Sequence, residues 1–193
     1  MNFSENISNK LTQAITRELN YNEDKKEIIA YAIENVLLFL LGSFFLILIG
    51  YYFNALIPIV IAAIFGGSLR RVSGGAHFDS PTKCLVFSTI VYSSIGIIAK
   101  KLVEYDIYNL YVLLFVLFIS LLLVVILAPV DSESKPIHSE SFKYKLKIFS
   151  IIFCIFAFLV VAFTDNKLIN VSAVLGVFYQ SLTLLPIFNK KRR

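Results

Sequence analysis

Two residues of the kind that perform nucleophilic chemistry together, Cys84 and His77, stand close in the sequence. On one continuous helix they would lie about 10 Å apart along the axis, whereas a proton transfer needs about 2.6–3.2 Å. The sequence between them does not favour a continuous helix, because Asp79 and Ser80 are good N-caps and Pro81 suits the first helical position. A helix that starts at Pro81 puts Cys84 in its first turn. His77 then lies in the preceding loop, free to fold back.

The predicted position of Cys84 has a chemical consequence. The partial positive charge of a helix N-terminus favours a thiolate, and a neighbouring histidine can take the thiol proton. Gly74-Gly75 gives the loop backbone freedom, and the free N–H groups of the helix start could form an oxyanion hole. Three side chains add positive potential: Arg70, Arg71 and Lys83. Spacing alone leaves a second interpretation open, with Cys84 a small apolar filler and His77 a solvated loop residue.

The elements that must position this pair are membrane helices. Hydrophobic residue types make up 58% of the 193 residues and charged types 16%, against about 45–50% and 25% in soluble domains. A straight span takes about 20 apolar residues. The sequence holds six such runs, at about 28–51, 53–69, 84–99, 107–130, 148–163 and 168–188. The third and fifth are slightly short and are expected to gain a turn from flanking residues.

The second run is the least secure of the six. It contains Pro58 and ends in Gly66-Gly67, features typical of a short, kinked or re-entrant segment. The sequence therefore predicts an all-α polytopic membrane protein with about six transmembrane helices, with four spans plus two re-entrant segments as the alternative.

Three regions follow from this pattern. Residues 1–27 carry apolar side chains at every fourth position, which predicts an amphipathic helix that lies in the membrane interface or covers the cytoplasmic end of the bundle. Residues 28–188 form the transmembrane domain, and residues 189–193 form a basic cytoplasmic tail. The apolar stripe of the first region consists of Phe3, Ile7, Leu11, Ile15 and Leu19.

The basic residues predict the orientation. With six spans and the N-terminus inside, 15 of the 18 Lys and Arg residues fall in cytoplasmic segments and 3 outside. The positive-inside rule then puts both termini in the cytoplasm. The net charge of +5 is explained in this way by the membrane and its surface, and we expect no nucleic-acid partner.

The remaining polar and sulfur-containing residues receive separate predictions. Cys154 lies deep in the fifth run and is expected to be a packing residue. The two cysteines therefore predict no disulfide framework. We also expect no metal site and no cofactor. Glu34, near the cytoplasmic end of the first run, is either a functional carboxylate or a solvated one. Gln180 in the sixth run is expected to make an interhelical hydrogen bond.

The stretch from Arg70 through Gly-Gly-Ala-His77 to Cys84 resembles the AgrB family, the accessory gene regulator B membrane peptidases of Gram-positive bacteria. The start of the first span, 29–34, looks like that family's first helix. The loop 129–136 looks like its second cytoplasmic loop, and the chain length and six apolar runs also agree. The resemblance covers nearly the whole chain.

This resemblance implies a function. Such proteins act on a propeptide of the AgrD type at the inner face of the bacterial cell membrane. Cys84 would be the nucleophile that releases the acidic C-terminal tail, and His77 would be the base. An internal cysteine or serine of the peptide would then attack the acyl-enzyme thioester, giving a thiolactone or lactone autoinducing peptide for quorum sensing. The resemblance also implies a homodimer.

Supporting roles are assigned less directly. Arg70 and Gly75 match family positions expected to support activity, and Glu34 or Asp79 would orient His77. The substrate tail would meet basic side chains, namely Arg71, Lys83 and Lys135. Two rival functions remain: a small multi-span transporter with helices broken near Pro58, and a membrane scaffold without catalysis.

Overall fold

The structure, a computed structural model, describes residues 7–8, 10–13, 22–76, 80–130 and 139–189, and its regular elements there are helices. Six helices account for most of the described chain: α1 (Glu23–Tyr52), α2 (Leu56–Ser73), α3 (Pro81–Glu104), α4 (Leu110–Leu127), α5 (Glu140–Phe163) and α6 (Lys167–Leu182). They correspond to the six predicted apolar runs. The prediction of an all-α membrane protein is confirmed.

Side-chain caps explain where several of these helices begin. Asn22, Asn109 and Asn166 each accept a hydrogen bond from a backbone N–H of the first helical turn, at 3.2, 2.9 and 3.0 Å. An amide oxygen at this position satisfies a donor that the helix cannot satisfy itself. The cap at Asn22, followed by the acidic Glu23 and Asp24, moves the start of α1 five residues ahead of the predicted boundary at residue 28.

The second run forms an unbroken helix. Because α2 begins at Leu56, Pro58 falls in its first turn, where no intrahelical N–H donor is needed. The first intrahelical bond is donated by Ile59 to the carbonyl of Ala55, at 3.1 Å. α2 is one continuous helix of 18 residues, which removes the sequence argument for a helix broken at Pro58.

Among the described helices, α1 to α5 are long and apolar enough to cross a membrane, whereas α6 has only 16 residues. The third and fifth helices do gain the flanking turns expected of them, reaching 24 residues each. Large apolar side chains are exposed along the outer faces of the bundle, for example Phe115 and Ile126 on α4. In a protein surrounded by lipid these faces need no protein partner.

The short helix α6 lies at the centre of the bundle and α1 at its edge. Nine residues of α6 are buried, whereas the buried residues of α1 are Gly42 and Gly50. Glycines bring the helix backbones together. A Cβ added to Gly176 would lie 2.5 Å from the Ala62 carbonyl oxygen, and one added to Gly96 would lie 2.5 Å from the Ile59 nitrogen. Such small-residue contacts are typical of membrane helix packing.

The two ends of the bundle differ in charge. Of the eleven basic residues that the structure describes from residue 22 onward, three lie at one end: Lys100, Lys101 and Lys167. Eight lie at the other end, together with Cys84: Lys25, Lys26, Arg70, Arg71, Lys83, Lys143, Lys145 and Lys147.

The described part of the N-terminal segment is helical, and its buried side chains carry hydroxyl groups, whereas Ile7 of the apolar stripe is half-buried. Ser8 and Thr12 are buried, and the Ser8 hydroxyl donates to the Ala30 carbonyl on α1. Leu11 of the apolar stripe is exposed. The hydroxyl face therefore packs on α1, which leaves Leu11 available to lipid.

Candidate functional site

Cys84 lies in the first turn of α3, as its sequence context predicts. Ser80 is the N-cap in an extended conformation, and Pro81 occupies the first helical position. The Cys84 N–H donates to the Ser80 carbonyl at 3.1 Å, which is the first intrahelical bond. The amides of Thr82 and Lys83 precede that bond, so the helix itself provides them with no acceptor. The half-buried Cys84 thiol therefore stands beside donors at the positive end of α3.

The Arg70 guanidinium joins this thiol to the preceding loop. Arg70 is in the last turn of α2. One of its terminal nitrogens, Nη2, lies 3.7 Å from Cys84 Sγ and also donates to the Ala76 carbonyl. One cation thus contacts both the sulfur and the loop. A thiolate formed at Cys84 would have this guanidinium as its counter-charge.

Two glycines shape the loop between α2 and Ala76. Gly74 has φ of +68° and Gly75 has φ of +129°, which are conformations that side chains with a Cβ rarely adopt. Neighbours also crowd both positions, because a Cβ on Gly74 would lie 2.2 Å from the Val130 carbonyl oxygen. Gly74 and Val130 form an isolated parallel bridge, with the Val130 N–H donating to Ser73 O at 2.9 Å. The segment after α4 is therefore tied to the segment after α2.

The C-terminal end of α6 closes the other side of this glycine turn. Gln180 is fully buried, and its Nε2 donates to the Gly74 carbonyl at 2.7 Å. Nε2 also donates to the Ser73 hydroxyl of α2 at 3.3 Å, which confirms the expected interhelical hydrogen bond. A Cβ on Gly75 would lie 2.6 Å from Thr183 Oγ1. The turn is thus enclosed by the ends of α4 and α6.

A pair of tyrosines lies below the thiol, in the interior of the bundle. Tyr92, two helical turns beyond Cys84 on α3, packs edge-to-face with Tyr179 of α6 at 5.9 Å between ring centroids. Tyr92 is buried, and its hydroxyl covers the open face of Gly66 on α2. Sequence reasoning missed both tyrosines, because aromatic residues in an apolar run give no signal of what they face.

The remaining predicted site residues are dispersed. Arg71 and Lys83 are exposed at the Cys84 end, and Arg71 lies over the Phe39 ring at 5.9 Å. Glu34 is half-buried on α1. It lies eight residues before Gly42, which corresponds to about 12 Å along the helix axis. Gly42 is the residue of α1 that packs against Leu85 of α3. Three predicted residues lie outside the described part of the chain: His77, Asp79 and Lys135.

Cys154, the second cysteine, is 1% exposed in the apolar core and makes no disulfide. Its predicted role as a packing residue is confirmed. The structure therefore separates the two thiols, one at a polar helix start and the other inside the bundle.

Fold and site together define a multi-pass α-helical membrane protein with a thiol, a guanidinium and a glycine turn at one end of the bundle. The family model of accessory gene regulator B, AgrB, matches residues 8–184. The chain therefore belongs to the AgrB family.

Individual relatives agree with this assignment. An AgrB-like protein of Clostridium perfringens strain SM101 is 30% identical, with 96% of this chain and 92% of the relative aligned. Accessory gene regulator protein B of Staphylococcus epidermidis is 32% identical over 64% of this chain and 60% of that protein. The protein of the same name from Staphylococcus aureus strain MW2 is 31% identical over 64% and 63%. No solved structure matches the chain.

Proposed function

We propose that this protein is a cysteine endopeptidase of the bacterial cell membrane that cleaves an AgrD-like propeptide and supports its cyclisation for quorum sensing. Membership of the AgrB family supports the quorum-sensing role. The observation that carries the chemistry is the Arg70 guanidinium, which contacts Cys84 Sγ and the carbonyl of Ala76. Ala76 immediately precedes His77 in the chain, so the same cation joins the nucleophile to the segment that bears the proposed base.

The first step transfers the acyl group to the protein. His77 takes the thiol proton, and Cys84 Sγ attacks the carbonyl carbon of the scissile peptide bond. The oxyanion that forms is stabilised by the amides of Thr82 and Lys83 at the start of α3. The C–N bond then breaks, His77 returns the proton to the leaving amine, and the C-terminal tail departs. The rest of the peptide stays on Cys84 as a thioester.

The second step closes the ring. An internal thiol of the bound peptide loses its proton to His77 and attacks the thioester carbonyl. The bond to Cys84 Sγ breaks, and the sulfur regains a proton from His77. A thiolactone forms and no water is consumed. Tethering gives the internal thiol a high effective concentration, and the membrane edge limits competing hydrolysis. An internal hydroxyl would give a lactone by the same route.

The charge of the bundle supports a cytoplasmic site and an acidic tail. Eight of the eleven described basic residues from residue 22 onward lie at the Cys84 end, which the positive-inside rule assigns to the cytoplasm. Two of them, Arg71 and Lys83, are exposed close to the thiol in sequence. They would attract the acidic C-terminal tail of the propeptide and increase its local concentration. Lys135 is proposed to join them.

Trapping the thioester tests the proposal most directly. The probe is the propeptide encoded by the adjacent reading frame, synthesised with its internal cysteine or serine replaced by alanine. Mixed with the purified protein in lipid nanodiscs, it should release its tail and leave an adduct on Cys84, visible as an added intact mass that hydroxylamine removes. Cys84→Ser should give neither product nor thioester. Cys154→Ala is the matched control and should form the adduct normally.

The rival functions predict a different outcome. A transporter or a scaffold would show no covalent adduct, and Cys84→Ser would leave its behaviour unchanged. Tail release by the Cys84→Ser protein would refute the cysteine mechanism.

The proposed base has its own matched control. His77→Ala should slow tail release while the protein still binds the propeptide, because the thiol loses its proton acceptor. His138→Ala removes the other of the two histidines and should leave the rate unchanged. Equal rates in both variants would exclude His77 as the base.

A further inference from the structure

Gln180 is a fully buried polar residue on α6 that the proposed mechanism does not use. Its side-chain amide Nε2 donates to the Gly74 carbonyl at 2.7 Å and to the Ser73 hydroxyl at 3.3 Å. Ser73 is also fully buried. A primary amide in a membrane protein core is costly unless it is hydrogen-bonded. Its position therefore requires these partners at the end of α2.

The Gly74 carbonyl that Gln180 holds belongs to a turn with little freedom of its own. Gly74 has positive φ and lies against the Val130 backbone, while Gly75 has positive φ and lies against Thr183. Without the amide, the Gly74 carbonyl would lose the shorter of its two hydrogen bonds, because the one donated by the Ser73 hydroxyl measures 3.3 Å. We expect the turn to rotate in that case, because the Gly74 carbonyl needs another hydrogen-bond donor.

The same turn leads directly to the reactive thiol. Ala76 follows Gly75, and its carbonyl accepts a hydrogen bond from the Arg70 nitrogen that lies 3.7 Å from Cys84 Sγ. A chain of contacts therefore runs from the core of α6, through the glycine turn, to the guanidinium and the sulfur. Gln180 is not itself part of the contact to the sulfur, so its effect must pass through the turn.

We propose that Gln180 is a positioning residue: its buried amide, bonded to the Gly74 carbonyl, fixes the glycine turn whose Ala76 carbonyl holds the Arg70 guanidinium beside Cys84. The inference rests on the proposed peptidase function. It assigns to α6 a part in catalysis that needs no contact with the substrate. Rotation of the turn would displace the guanidinium from the thiol, while the thiol stays where α3 puts it.

Gln180→Met tests the inference, because methionine keeps the length and volume of the side chain but has no donor. Because a displacement of about 1 Å in a catalytic site can lower the rate by about 100-fold, kcat for tail release should fall by on the order of 100-fold. KM for the propeptide should change little. Alkylation of Cys84 by iodoacetamide should also slow, because the thiolate loses the guanidinium that the turn holds beside it.

The matched control is Asn170→Leu. Asn170 is also a fully buried amide on α6, but it lies at the opposite end and donates to the Thr164 carbonyl at 2.7 Å. Its loss should lower thermal stability and leave kcat unchanged. If both variants lose kcat in proportion to stability, Gln180 has only a structural role and the inference fails.

Gln180→Glu adds a readout that stability alone would not give. A protonated carboxyl can donate to the Gly74 carbonyl, whereas a carboxylate cannot. The ratio of variant to wild-type kcat should therefore rise as pH falls. A ratio that stays flat with pH would count against the hydrogen bond.

Comparison with Cys84→Ser distinguishes failure of the proposed function from failure of the positioning role. If Cys84→Ser still releases the tail, the proposed function is wrong. If Cys84→Ser is inactive but Gln180→Met retains full kcat, the function stands and the positioning role is wrong.

Discussion

Two buried amides on α6, Asn170 and Gln180, stabilise the two ends of the bundle in the same way but hold very different segments. Asn170 donates to the Thr164 carbonyl at 2.7 Å and to the Tyr108 hydroxyl at 3.4 Å, groups that lie in or beside the helix connections of its end. Gln180 donates to the Gly74 carbonyl, in a longer loop. Inside a membrane, backbone carbonyls have no water molecules to donate hydrogen bonds to them, and each amide provides that donor instead. Only the second amide holds a segment connected to Cys84, the proposed nucleophile.

The connections explain this difference. At the Asn170 end the helices are joined by residues 53–55, 105–109 and 164–166, and at the Cys84 end by 74–80 and 128–139. Shorter connections have fewer conformations available to them. Longer loops must be fixed by other elements, and for that reason they can carry side chains from several helices into one site. We therefore expect substitutions at the Asn170 end to change stability, and substitutions at the Cys84 end to change catalysis.

The largest effect is expected from Gly74→Ala. A Cβ there would lie 2.2 Å from the Val130 carbonyl oxygen at φ of +68°; the backbone conformation alone costs about 1–3 kcal/mol. Displacement of the turn should lower kcat for tail release by on the order of 100-fold or more.

The matched control for that change is Gly67→Ala on α2, where an added Cβ meets nothing within 4 Å. Alanine favours the helix there by about 1 kcal/mol, so activity should persist and stability should not fall. Normal turnover by the Gly74→Ala protein would remove the turn from the functional site.

A smaller effect is expected from Arg70→Gln. The variant loses the charge beside Cys84 Sγ and the link to the Ala76 carbonyl, so kcat should fall by about 100-fold, the lower end of what one electrostatic contact contributes. Arg71→Gln removes an adjacent, exposed charge and should instead raise KM for a propeptide with an acidic tail. Steady-state kinetics of the two variants would show whether the two arginines divide catalysis and tail binding in this way. The same kinetic signature in both would contradict the division.

At the opposite end, Asn170→Leu should affect stability alone. The Thr164 carbonyl and the Tyr108 hydroxyl lose a buried donor, which costs about 1–3 kcal/mol. Thermal unfolding in one defined detergent should show the loss, while kcat stays at the wild-type value. A fall in kcat without a fall in stability would break the contrast between the two ends.

The smallest effect is expected at the exposed ion pair of Asp106 and Lys167, whose Oδ1 and Nζ lie 2.8 Å apart. The hydrogen bond from Lys167, with its charge, holds the pKa of the Asp106 carboxyl below its usual range. A lowered folded-state pKa stabilises the protein above the ordinary carboxyl pKa, and the contribution disappears as pH falls through the folded value. Asp106→Asn should therefore unfold slightly earlier than wild type at neutral pH and together with it in acid. Salt should shrink the difference, because exposed pairs are screened; a difference that persists in acid would contradict the assignment.

Much of the fold follows from local sequence patterns. Six apolar runs became six helices, Pro81 opens α3 as its residue type suggests, and Cys84 therefore lies in a first turn. Cys154 was predicted to pack and does so. These features depend on hydropathy and on groups within four residues of each other, which a sequence displays directly. Two local predictions were imprecise. The predicted start of the first helix was too late, because the cap at Asn22 lengthens α1. The predicted break in the second helix is absent, because Pro58 lies in the first turn of α2, where a helix tolerates proline.

By itself, the sequence determined that the chain crosses a membrane in helices and that a cysteine lies in the first turn of one of them. Only the tertiary structure decided which groups hold the glycine turn after α2. Gln180 reaches a carbonyl 106 positions away in the chain, and the Val130 backbone pairs with Gly74 across another gap. Such contacts depend on how helices align along their axes, and that alignment is set by close glycine packing between α2, α3 and α6. A pattern of residues within one helix contains no information about the register of its neighbours.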